Sequence, residues 1–162
     1  MSYREPRRAD PRLSAIAGRW TTSGHVIGDP PIPVLGTDVY EVPAGGYFLV
    51  HHVDVTVGGR PVRAIEIIGE PDPATDGYLA RSFDSDGHTE VMQVTIDGTG
   101  VFHFAGGGDV ASNAQPADVP TSRVRSTLTV ADDRRSMTAV WERSADGITW
   151  GPWMNIEFSL NE

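Results

Sequence analysis

Along residues 49–57 the chain reads LVHHVDVTV, and alternate residues differ in kind. Leu49, His51, Val53, Val55 and Val57 fall on one side, and His52, Asp54 and Thr56 on the other. A period of two belongs to a β-strand, whose successive side chains point to opposite faces. Similar short runs recur, separated by Gly58-Gly59, Asp86-Gly87, Asp97-Gly98 and Asp146-Gly147, dipeptides that favour tight hairpin turns. They predict ten strands, near residues 18–24, 36–43, 47–57, 60–69, 77–85, 88–96, 99–105, 122–131, 135–144 and 148–160. Only residues 11–18, PRLSAIAG, have helical character, for two turns at most. Short strands joined by hairpins predict an all-β fold: a closed antiparallel up-and-down barrel of about ten strands with a short N-terminal helix. Residues 1–12 read as a flexible tail and 13–162 as a single barrel domain. The long irregular segment 105–120, with three consecutive glycines, reads either as a flap beside the barrel mouth or as a merely disordered loop.

Turn length decides which faces of neighbouring strands meet. With Gly58-Gly59 as a two-residue turn, Val57 pairs with Arg60, Val55 with Val62, Val53 with Ala64, His51 with Glu66 and Leu49 with Ile68. The apolar face is the one carrying His51, so His51 points inward and meets Glu66, while His52 faces water. With Asp86-Gly87 as a two-residue turn, Phe83 pairs with Glu90, Arg81 with Met92 and Leu79 with Val94, and Ser82 faces outward. Symmetric closure of the following loop, pairing Gly69 with Tyr78, sets Arg81 opposite Glu66. The turn at Asp146-Gly147 places Met137, Ala139 and Trp141 on one face with Met154, Ile156 and Phe158. A two-residue turn at Asp97-Gly98 turns His103 inward beside Met92, whereas a longer turn through Gly100 sends Phe102 and Phe104 inward instead.

An apolar interior crossed by a polar row results, and it supplies the candidate ligand-binding residues His51, Glu66, Arg81, Glu90, Met92 and His103. A ten-stranded barrel is wider than side chains alone easily fill. The leading expectation is therefore a cavity that binds a small, largely apolar molecule with an acidic or hydrogen-bonding end. A cofactor-free isomerase- or cyclase-type enzyme is the alternative, with Glu66 orienting His51 as general base. A third reading is a packed barrel whose salt-bridge row only sets register. His51, His103 and Glu66 have the right chemistry for a metal, but the adjacent Arg81 cation opposes one, so neither metal nor cofactor is expected.

Composition narrows the field. At 162 residues, 39% hydrophobic and 22% charged, the chain is an ordinary globular domain. It has no cysteine, which excludes disulfides and thiolate metal sites. All 13 basic residues are arginine, which excludes a Schiff base on a lysine side chain. A net charge of −9 argues against nucleic acid or an anionic membrane as partner. No apolar run approaches the roughly 18 residues of a membrane span, and the first dozen residues are charged without an apolar stretch. The chain reads as a bacterial cytoplasmic protein, with a homodimer left open. Trp20, Trp141, Trp150 and Trp153 read as core and barrel-closing residues.

The segment LSAIAGRW, a short helix running into Gly-x-Trp, resembles the opening of calycin barrels, the lipocalin and fatty-acid-binding-protein superfamily. With GTDVYEVPAGGYFLVH, IEIIGEPDPATDGYLARSFDSDG and SADGITWGPWMNIEF, it resembles a bacterial family of unknown function with a calycin-like barrel. That resemblance implies the fold and names no activity. Nitrobindin-like haem barrels are characterised relatives of this family; they carry a glycine ladder after the Trp and a late ligating His. Gly18, Trp20 and Gly24 match in part, Thr22 interrupts the ladder, and no histidine follows His103. Haem binding would then fall to His51 or His103.

Overall fold

Gly58 and Gly59 both take positive φ, 58° and 82°, the backbone of a two-residue hairpin turn whose twist suits its flanking strands. The turn joins β3 (Leu49–Val57) to β4 (Arg60–Pro71) in the predicted register, with Val57 opposite Arg60, His51 opposite Glu66 and Leu49 opposite Ile68. The computed structural model describes residues 10–107 and 123–162. Around this hairpin lie β1 (Gly18–Val26), β2 (Ile32–Glu41), β5 (Tyr78–Asp84), β6 (Thr89–Ile96), β7 (Phe102–Gly106), β8 (Arg123–Val130), β9 (Ser136–Ser144) and β10 (Gly151–Leu160). Each strand pairs antiparallel with the next, and β10 pairs with β1 to close a ten-stranded barrel. Residues 108–120 of the anticipated flap lie outside the described residues.

One end of the barrel is sealed. A 3-10 helix, Pro11–Ile16, starts where the Asp10 side chain accepts from the Arg12 backbone N–H at 2.9 Å. It buries Leu13 and Ile16 against Trp20, whose Nε1–H donates to the Ile16 carbonyl at 3.0 Å. Arg12 reaches across to the Ile96 carbonyl, at the far end of β6. Leu49, Ile68, Val94, Phe102 and Met137, all at this end of their strands, are fully buried. The opposite end carries the Gly58-Gly59 turn, the β5–β6 and β9–β10 loops, and the ends of β7 and β8.

Three turns are longer than a two-residue reading allows, and two strands carry a bulge. In the β5–β6 loop Asp84, not Asp86, begins the turn: its Oδ1 accepts from the backbone N–H groups of Asp86 and His88, both at 2.9 Å. Phe83 consequently faces Thr89, Ser82 faces Glu90 and Ala80 faces Met92. Asp97 organises the β6–β7 loop in the same way, accepting from Thr99 and Val101, and Ile96 pairs with Phe102. Such Asx turns let a carboxylate stand in for backbone acceptors, so the loop extends past the Asp-Gly pair. In β4 the register shifts between Ile68 and Glu70. At Gly69 a Cβ would lie 2.8 Å from the Tyr47 carbonyl oxygen, and φ is 138°, as a glycine-marked bulge requires. Each change is odd in residues, and each reverses the face that a strand presents. In the last hairpin a longer turn, with Gly151 opposite Arg143, and a bulge between Pro152 and Met154 offset each other, so the predicted phase is kept: Met137, Ala139, Trp141, Met154, Ile156 and Phe158 all sit on the inner side.

Close strand approach yields a prediction. A Cβ on Gly36 of β2 would stand 2.2 Å from the Asp54 carbonyl oxygen and 2.5 Å from Val55 Cα, both backbone atoms of β3. Gly36→Ala should cost about 2 kcal/mol or more. Gly98→Ala, with nothing within 4 Å of the new methyl, should stay within about 0.5 kcal/mol of wild type. Urea unfolding of both variants checks the pair, and equal stabilities would contradict the packing described.

Candidate functional site

The corrected register draws a continuous polar belt across the inner wall. Tyr40 on β2 pairs with His51 on β3, His51 with Glu66 on β4, Glu66 with Ser82 on β5, and Ser82 with Glu90 on β6. Tyr40 lies at the end of β2 near the sealed end, and Glu90 at the start of β6 near the opposite end. The belt therefore climbs the wall from one end of the barrel towards the other.

His51 is its centre. Nε2–H donates to Asp38 Oδ1 at 2.6 Å and Nδ1–H to Glu66 Oε1 at 3.1 Å. The three side chains are only 12%, 6% and 13% exposed. Burial on its own would lower the His51 pKa, but the hydrogen bonds and charges of Asp38 and Glu66 outweigh it and raise the pKa to about 9. The Tyr40 ring stacks on the imidazole, centroids 3.9 Å apart and planes within 9°. Burial, reinforced by the charges of Asp38 and Glu66, holds the Tyr40 hydroxyl in its protonated form well above the usual range. The second Asp38 oxygen accepts from the buried Thr22 hydroxyl.

A cavity of about 300 Å³ opens beside the belt, and every one of the ten strands contributes to its wall. Its surface is mainly apolar, from Val53, Val55, Met92, Phe104, Leu128 and Ile156 among others. His51, Glu66, Glu90 and Met92 all line it, four of the six residues named from the sequence. The other two do not. Arg81 points outward and pairs with Glu70 at 2.7 Å, because the Gly69 bulge and the Asp84 turn put Ser82 on the inner face. His103 is half-exposed and bonds Asp97 at 2.9 Å, because the longer turn sends Phe102 and Phe104 inward. Phe83, expected inside, is 50% exposed beside Ile65.

These placements change the chemistry. The proposed metal set loses His103, and among the described residues no group of three His, Asp or Glu side chains is placed to hold a metal ion. His51 commits both ring nitrogens to carboxylates and stays protonated at neutral pH. It therefore has no lone pair to abstract a proton or to ligate haem iron, so the residues present do not fit a haem. With Arg81 outside, no arginine of the described residues lines the cavity to receive an acidic ligand end. Sequence reasoning missed Asp38, Tyr40, Thr22, Ser82 and Ser126, all of which line the cavity. A signal for Asp38 and Tyr40 was present: their spacing continues the parity of Val34 once β2 is extended back to Ile32.

No protein-family model matches the chain, and no curated protein does. Among solved structures, Rv2717c from M. tuberculosis is similar with a TM-score of 0.61 and 14% identity, over 95% of this chain and 99% of that one. A de novo designed fluorescence-activating β-barrel matches with a TM-score of 0.49 and 16% identity, over 94% of this chain and 99% of the design. The likeness to Rv2717c is one of fold. Among the described residues no helix is long and apolar enough to cross a membrane.

The triad predicts a pH dependence. His51 has a pKa of about 9 in the folded chain against an ordinary 6.5. Its contribution to stability is thus fully present below about pH 6.5 and is lost as pH rises through about 9. The shift corresponds to about 3 kcal/mol. NMR titration of the His51 ring should show no proton loss until near pH 9, and stability to urea should fall by most of that amount between pH 6 and 9.5. A ring that titrates near 6.5 would show that the triad is not formed.

Proposed function

We propose that this barrel binds a small, largely apolar molecule in its interior, in the manner of calycin-like carriers. The observation that carries the reading is the cavity of about 300 Å³, walled by apolar side chains from all ten strands with a few convergent polar groups on one side. Ligand pockets have that character, and the volume lies at the lower end of their range. Burying the apolar body of a guest against Val53, Val55, Phe104, Leu128 and Ile156 supplies affinity, at roughly 25 cal/mol per Å² removed from water. The polar belt orients the guest, because any polar atom it brings must find a partner once it is out of water. Closure at one end by Leu13, Ile16 and Trp20 makes the cavity a cup instead of a channel.

Native mass spectrometry of the purified protein should reveal a co-purified small molecule or, after stripping, uptake of one neutral apolar probe such as N-phenyl-1-naphthylamine. Ala64 lines the cavity from β4. Ala64→Phe should fill part of the space and weaken probe binding at least tenfold, with the fold intact by circular dichroism. Unaltered probe affinity in that variant would place the bound probe elsewhere and remove the support for an interior site.

A further inference from the structure

We infer that the cavity selects a cationic guest, a small apolar amine whose ammonium group sits between Glu66 and Glu90. The inference rests on the interior-site reading above and names the chemical class of its ligand. Its first basis is a census of charge facing the cavity, strand by strand. Asp38 on β2, Glu66 on β4 and Glu90 on β6 are acidic, and His51 on β3 is the single basic group among the lining residues. The remaining lining residues, on β1, β5 and β7 to β10, carry no charge. Arg143 lies beyond the lining, its guanidinium 5.7 Å from the Trp153 ring. His51 lies between Asp38 and Glu66, so the buried triad of one imidazolium and two carboxylates keeps a net charge of −1.

The second basis is what that triad leaves unused. Asp38 gives one oxygen to His51 and the other to Thr22, whereas Glu66 gives His51 a single oxygen, Oε1. Glu90 is two strands from Glu66 along the belt, with only Ser82 between them. No partner for the Glu90 carboxylate is found among the described residues. Glu90 stands at the exposed rim of the cavity, and partial desolvation together with the charge of Glu66 raises its carboxyl above the usual range. Two further polar side chains line the same cavity at nine-tenths burial or more, Tyr40 and Ser126. Neither hydroxyl has a side-chain hydrogen bond among the described residues. The interior thus holds acceptors in excess of donors, arranged beside an apolar volume.

The third basis is position. Glu90 stands at the end of the barrel away from the helix, and the belt runs inward from it through Ser82 to Glu66. A cation that moves along the belt from Glu90 to Glu66 passes from one carboxylate to another. A carboxylate guest would meet repulsion at each step, in surroundings whose low dielectric strengthens it.

Three compounds of one skeleton test this at pH 7.5: 4-phenylbutylamine, 4-phenylbutan-1-ol and 4-phenylbutanoate, each titrated against the full-length protein and followed by calorimetry and NMR. The amine should bind at least tenfold more tightly than the alcohol, and the carboxylate more weakly than either. Glu90→Gln, at an exposed position, should shrink the amine-to-alcohol preference about tenfold while circular dichroism stays unchanged. Equal binding of amine and alcohol, or preference for the carboxylate, would overturn the charge assignment and leave the interior site standing. An undiminished preference in Glu90→Gln would overturn the role of Glu90. Binding of none of the three, or binding that Ala64→Phe does not weaken, would overturn the interior site itself and this inference with it.

Discussion

An imidazolium shared by two carboxylates is what allows a polar belt to exist inside this barrel. An isolated buried charge costs several kcal/mol, and one carboxylate paired with one histidine would satisfy only half of the ring. Here both N–H groups of His51 find acceptors, Asp38 is completed by Thr22, and Tyr40 covers the ring face. The half of the belt on β2 to β4 is therefore internally satisfied and held rigid. The half on β5 and β6, Ser82 and Glu90, has no such commitments among the described residues and faces the cavity. One arrangement gives the cavity a wall whose polar groups are paired and a wall whose polar groups are not.

How much of this was legible depends on turn length. Gly58-Gly59 readily takes the positive φ values of a two-residue hairpin turn, so the pairing of His51 with Glu66 followed from residue count. The barrel, its strand number and the inward face of β3 came with it. Asp86-Gly87 misled and Asp97-Gly98 left two readings open, because an aspartate ahead of the turn can recruit backbone N–H groups and lengthen the loop, as Asp84 and Asp97 do. Two alternating patterns, offset by one residue, then look equally plausible. Exposed Phe83 and inward-facing, half-buried Ser82 show that hydrophobicity alone does not choose between them. Asp38 was hidden for a different reason. The connection between β2 and β3 is seven residues long and sets no register, so nothing in the chain near Asp38 points to His51.

The two ends of the barrel differ in packing. The fully buried residues cluster under the helix: Leu13, Ile16, Trp20, Leu49, Ile68, Val94, Phe102 and Met137. Away from it the interior is looser and holds the cavity. Packing at one end compensates for empty volume at the other, since a void forfeits dispersion contacts that a filled core makes. A substitution should accordingly be read by its height along the strand as well as by its inward or outward direction.

Pairing of β1 with β10 has a consequence for synthesis. Nine of the ten strand pairings join sequence neighbours and can form as the chain emerges, but the tenth must wait for Gly151–Leu160. Until then β1 and whichever strand was made last both offer unpaired edges, the geometry that invites association between nascent chains. Trp20 and Thr22 belong to β1, so the floor of the cup and the outer support of the triad are assembled against an incomplete wall. The growing polypeptide therefore encloses no cavity: the compartment comes into being all at once, when Gly151–Leu160 joins β1.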